Sequence, residues 1–242
     1  EFLMDVTQAP GLLGQIATHI TLSSRKQQPL FSMGAALAII SVLAGRQYKG
    51  PTGLGTALYQ IIAAPTGYGK QHPQDGIEAV LSRCDLLGLL GPGEFASDVA
   101  IFSALLQRPN MVCCIDECAG LMGRGASRNA ASHEVGIPAV LRTVYSKNFK
   151  VYKTKESAAR KSEDIHCPNL SIFGASTAEE LYSRMTSLEV TNGLLNRFII
   201  LRNDKPPAKA KPQFDVYDVP ADIVEGCHRI YNRDGLSGGP FH

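Results

Sequence analysis

One short stretch, Ala64-Pro65-Thr66-Gly67-Tyr68-Gly69-Lys70-Gln71, limits the folds open to this chain more than any other. Before it runs an apolar segment, residues 57–63, whose β-branched members predict a buried parallel strand. After it, residues 74–85 read as a helix that Gly76 weakens. A glycine-bearing turn between strand and helix lets backbone N–H groups converge without side-chain clash. The helix N-terminus adds positive potential behind them. Dense negative charge, as on a nucleoside triphosphate, is what such a turn suits, with a lysine reaching the outer phosphates. The general pattern is G-x-x-x-x-G-K-[ST]. Here Gly69 and Lys70 match, Ala64 replaces the first glycine, and Gln71 replaces the hydroxyl residue that touches Mg²⁺. The spacing predicts a cradle of Pro65, Thr66, Gly67, Tyr68, Gly69, Lys70 and Gln71. Either the Gln71 carbonyl or a water would fill the missing ligand position. The alternative is a plain strand-to-helix turn that ends in Gly-Lys.

A second segment strengthens the first. Residues 111–115 form another apolar run, and it ends in Asp116-Glu117 about 46 residues after Lys70. Acids at the C-terminal end of a strand face the crevice where α/β sheets bind ligands. Asp116 is expected to hold Mg²⁺, through water, and Glu117 to orient and deprotonate an attacking water. A strand at 170–173 leads into Gly174-Ala175-Ser176-Thr177. Ser176 there would sense a terminal phosphate or position water, unless these hydroxyls only cap the next helix. Arg197 precedes a last strand at 198–201. It would answer transition-state charge in its own subunit or a neighbour's, or else serve as a structural ion pair.

The rest of the chain supplies the frame. Helices are expected from Pro10 onward and over 31–44, 97–107, 137–145, 178–185 and 220–231, with a glycine-rich loop across 120–132. Strands alternating with helices predict an α/β fold: a largely parallel central sheet flanked by helices, behind an N-terminal helical lead-in. Three parts are expected: a lead-in at 8–56, a core at 57–203, and a linker with C-terminal extension at 204–242. Three prolines and three lysines within 205–212 argue against regular structure in that linker. The apolar run 30–44 falls short of the roughly 20 residues that span a bilayer, so a buried helix is expected there. Adjacent Cys113 and Cys114 inside an apolar run suggest reduced thiols and a cytoplasmic setting. A net charge of +2 favours no class of partner, so any basic surface must be local. Paired Cys-x-x-Cys sites do not occur.

Five segments in order carry a family resemblance: Pro10-Gly11-Leu12-Leu13-Gly14, the Ala64–Lys70 loop, Cys114-Ile115-Asp116-Glu117, Gly174-Ala175-Ser176-Thr177-Ala178-Glu179-Glu180-Leu181, and Gly193-Leu194-Leu195-Asn196-Arg197-Phe198. Across residues 10–203 the chain resembles the uncharacterised, helicase-like P-loop ATPase domain of phages and mobile elements, which often accompanies primase modules. The resemblance implies a RecA-like or AAA+-like core, ATP and Mg²⁺, and work on DNA in replication. Gln71 departs from the usual active loop and bears on hydrolysis more than on binding.

Between the acid strand and the hydroxyl strand lies a basic excursion in which Lys150, Lys153 and Lys155 flank Tyr152. Residues 149–154 alternate like a strand, which predicts a hairpin. Its cations suit phosphates, and its rings suit unpaired bases, so single-stranded DNA is the expected partner. In ring ATPases similar to this family, a hairpin in this place lines the pore. A homo-oligomeric ring and a primase partner follow from the resemblance alone. Two alternatives stand beside the motor: a nucleotide-binding module that does not hydrolyse, and a DNA-binding protein with a vestigial loop.

Overall fold

The computed structural model describes residues 8–123, 132–154, 161–184 and 193–232. Its centre is a four-stranded, wholly parallel sheet in the order β3 (Asn110–Ile115), β6 (Asn169–Ser176), β2 (Tyr59–Ala63), β7 (Phe198–Arg202). The α/β architecture with flanking helices and N-terminal helices is as the alternation predicts. Every residue of β2 is buried, and the pleat divides them between two cores. Tyr59 and Ile61 join Met111, Cys113 and Ile172 on the face covered by α4 (Asp98–Gln107) and α6 (Ser132–Ser146). Ile62 joins Val112, Phe173 and Ala175 on the face covered by α1 (Gly11–Leu22), α2 (Pro29–Leu43) and α3 (Gln71–Arg83).

Helix α2 is apolar all round because it is covered all round. It lies against the sheet at Gly34, where a Cβ would stand 2.5 Å from Leu201 Cδ1. Among the described residues, no helix is long and apolar enough to cross a membrane.

Beyond residue 203 the helix expected over 220–231 is present, but the linker at 205–212 departs from expectation. Ala208–Lys209 forms strand β8, paired antiparallel with β1 (Lys26–Gln27) in the register Lys26↔Lys209 and Gln27↔Ala208. Prolines 206, 207 and 212 flank these two residues without interrupting them, and a short edge ribbon needs few backbone donors. Farther on, α8 (Ala221–Tyr231) buries Ile223 and Cys227 in the same core as α1 and α2. Lead-in, sheet and extension therefore share one packed unit. The stretch read as a loop over 120–132 also contains α5 (Ala119–Gly123), and α6 opens at Ser132.

The lower edge of the sheet is tied by asparagines. Asn148 Nδ2 donates to Asn169 Oδ1 at 3.0 Å, Asn169 Nδ2 donates to Asn110 Oδ1 at 2.9 Å, and Asn110 Nδ2 donates to Val42 O at 3.0 Å. Asn169 is fully buried. Asn169→Leu strands two amide groups in the interior, so we expect a loss of about 2–4 kcal/mol in urea unfolding. A loss below about 0.5 kcal/mol would show that the ladder adds nothing.

Candidate functional site

Because the sheet is parallel, β2, β3 and β6 all end at one edge. The loop after β2 and the acids after β3 stand on either side of β6, two strand spacings or roughly 10 Å apart. Between them opens a cleft of about 460 Å³. Thr66, Gly67, Gly69, Lys70 and Gln71 line it from the loop, Asp116 and Glu117 from the acid turn, and Ser176 and Thr177 from the end of β6. Pro65 and Tyr68 do not line it. They shape the turn, Tyr68 N–H meeting Pro65 O at 3.4 Å, and Tyr68 packs toward the α1–α3 core.

The loop owes its path to two glycines in the left-handed region, Gly67 at φ +78° and Gly69 at φ +80°. Lys70 already has helical dihedrals, and α3 begins at the next residue. The helix starts earlier than the sequence predicts because Pro73 falls in its first turn, where an N–H has no helical acceptor to lose. The Lys70 ammonium folds over the loop, donating to Ala64 O at 2.7 Å and to Pro65 O at 3.1 Å. Burial lowers its pKa from the ordinary lysine value, and the charge of Asp116 works in the opposite direction. Gln71 lies along α3, its Nε2 donating to Asp75 Oδ1 at 3.0 Å. Its carbonyl oxygen is the part left to meet a cation.

The acid turn is clamped onto β6. Cys118 N–H donates to Ala175 O at 2.9 Å, and the Glu117 N–H donates to Asp116 Oδ1 at 3.1 Å. Glu117 itself sits at φ +50°, an uncommon conformation for a residue with a Cβ. Both acids are exposed and also border a second cleft of about 430 Å³ shared with Glu180 and Arg184. Ser176 is the last residue of β6, buried, with its hydroxyl donating to Thr177 O at 3.0 Å. Capping falls to its neighbour: Thr177 Oγ1 accepts the Glu180 N–H at 3.1 Å at the start of α7 (Ala178–Arg184).

Arg197 is not brought into this cleft. It precedes β7, and Phe198 pairs with Tyr59 at the start of β2, so it lies at the opposite edge of the sheet, roughly 15 Å along the strands. There its Nη1 donates to Gly193 O at 2.6 Å and its Nη2 to Ser146 Oγ at 3.0 Å, with the guanidinium 6.0 Å from the centre of the Tyr145 ring. These contacts tie α6 to the turn before β7.

The basic hairpin exists, as β4 (Val151–Lys153) paired antiparallel with β5 (Asp164–His166). Its aromatic ring is not offered to bases. Strand alternation turns Tyr152 inward, where it stacks on Phe102 at 5.5 Å, and turns Val151 and Lys153 outward. Lys153 Nζ stands 3.4 Å from Asp164 Oδ1. Lys150 is exposed, and Lys155 lies outside the described residues.

All six cysteines are free. Burial pushes the Cys114 and Cys118 thiols up to about 12, so they stay protonated and fill core space. Among the described residues, no three His, Cys, Asp or Glu side chains converge as a metal cage. A cation at Asp116 would therefore take most of its ligands from phosphate oxygens and water. Lys26 also lines the cleft, although β1 is far from the loop in sequence and no local pattern marks it. No family model matches this sequence, and no curated protein matches it.

Proposed function

We propose that the cleft binds ATP with Mg²⁺ and hydrolyses it, and that the chain is a P-loop ATPase of the phage and mobile-element kind that its motifs resemble. One observation carries this reading. The Gly67–Lys70 turn and the Asp116-Glu117 pair, built on separate strands, face one cleft at one sheet edge, with Ser176 between them. Loop amides and Lys70 take the phosphates. Asp116 and the Gln71 carbonyl are the oxygens that suit Mg²⁺, which would neutralise phosphate charge. Glu117 accepts a proton from water as that water's oxygen bonds the γ-phosphorus. The bond from the γ-phosphorus to the bridging oxygen breaks, leaving ADP and inorganic phosphate. Positioning and fixed charge do most of this work.

Arg197 enters the chemistry only if a neighbouring copy brings its cleft to that far edge, as in a ring. Lys150 and Lys153 remain the described cations through which the hairpin would meet single-stranded DNA. Tyr152 leaves the base-stacking role. A primase partner and a cytoplasmic setting belong to the same reading, and the free thiols suit the latter. The engagement of Gln71 with Asp75 favours a second reading, a nucleotide-binding module without turnover.

Lys70→Ala tests the cleft. Titration with fluorescent ATP should show affinity at least tenfold weaker than wild type, because a charge-assisted contact to phosphate is lost. Equal affinity in the two proteins would refute the assignment.

A further inference from the structure

We infer that Lys26 is a second phosphate-binding cation of the cleft, held over the glycine loop by the β1–β8 ribbon. The inference rests on the polyphosphate reading of the cleft. Lys26 Nζ donates to Gly67 O, two residues beyond Pro65, the farther of the two carbonyls that Lys70 serves. The two ammonium groups thus hold carbonyls of the same turn, and both side chains line the same cleft.

The fit between Lys26 and the loop is close. A Cβ on Gly69 would lie 3.0 Å from Lys26 Cβ and 3.2 Å from Lys26 O. Gly69 is therefore favoured twice, by its positive φ and by the tight approach of the strand laid across it. That strand is fixed independently of the loop. Ser24 Oγ accepts the Lys26 N–H at 3.1 Å and donates to Lys26 O at 3.0 Å, and Lys26 pairs with Lys209 across the ribbon. Two residues on, Gln28 Nε2 donates to Tyr68 O at 3.1 Å, while Asn203 Nδ2 donates to Gln28 Oε1 at 2.6 Å. Segment 24–28 thus braces the loop from outside.

A lysine anchored by its backbone retains a long, mobile side chain. Its ammonium gives up one carbonyl when a denser charge arrives. Two cations on one turn suit a triphosphate better than a monophosphate, since each added phosphate brings charge within reach. Lys26 therefore discriminates by phosphate number, and the C-terminal segment that carries β8 helps to hold it in place.

The test compares wild type, Lys26→Ala, Lys26→Arg and Lys70→Ala by titration with fluorescent ATP and by competition with AMP and inorganic tripolyphosphate. Backbone pairing in the ribbon survives either substitution at residue 26, and thermal melting verifies it. Lys26→Ala should weaken ATP and tripolyphosphate about tenfold and AMP by less than about threefold, with Lys26→Arg close to wild type. Unchanged ATP affinity in Lys26→Ala, alongside a loss in Lys70→Ala, overturns the role of Lys26 and leaves the cleft assignment standing. Equal losses for AMP and ATP overturn the discrimination. A wild type that binds none of these probes removes the cleft reading itself, and the inference with it.

Discussion

Glu117→Gln should still bind ATP within about threefold of wild type, while phosphate release falls by a hundredfold or more. Gln keeps the shape and removes the proton acceptor. Glu117 is exposed at the cleft, and no described hydrogen bond of its carboxylate holds the acid turn together. The turn is fixed by backbone: Glu117 N–H to Asp116 Oδ1, Gly120 N–H to Glu117 O, and Cys118 N–H to Ala175 O. A change of side chain at 117 leaves all three in place. The left-handed backbone there is no harder for Gln than for Glu, so thermal stability should stay within a few tenths of a kcal/mol. Phosphate release measured with and without single-stranded DNA decides the matter. Wild-type turnover in the variant would take the base role from Glu117. Absent turnover in the wild type, with ATP binding intact, would select the module that binds without hydrolysing.

What the sequence made legible was local chemistry attached to strand ends. The Gly-Lys turn and the Asp-Glu pair each follow an apolar run, and in a parallel sheet residues that follow strands share an edge. The same rule places Arg197 elsewhere, because it comes before its strand. Its distance from the cleft was implicit in the strand direction already inferred. Tyr152 is similar: alternation along residues 151–153 means that if Val151 and Lys153 face out, the ring between them faces in. Other features depend on tertiary contacts that no window of sequence displays. Lys26 reaches the loop only because Ala208–Lys209 returns to pair with β1. Gly76, which looks like a helix defect, sits where a Cβ would lie 2.7 Å from Ile20 Cγ1 of α1. Gly174, which read as the end of a strand, lies inside β6, so the strand runs three residues past the predicted Phe173 to Ser176.

Gly174 also marks the joint on which the acid pair depends. A Cβ at this position would stand 2.4 Å from both Cβ and Sγ of Cys118, and Cys118 is fully buried in the core beneath the acid turn. Rotation about χ1 could swing Sγ aside, but Cβ is fixed to the backbone, so Gly174→Ala must push the turn off β6 or bend the strand. Pushing the turn moves Asp116 and Glu117, which immediately precede Cys118. We expect a stability loss of about 1–3 kcal/mol in urea unfolding. We also expect phosphate release to fall more than tenfold, since displacements near 1 Å at reacting groups are costly. ATP binding should change much less, because the Lys70 loop grows from the end of β2 and not from the acid turn. The double variant Gly174→Ala with Cys118→Gly removes both clashing atoms, so part of the lost turnover should return. If Gly174→Ala lost stability with wild-type turnover per folded molecule, the packing of Cys118 against β6 would not be what positions the acids. Recovery in the double variant separates this from a general loosening of the sheet, which a second cavity would only worsen.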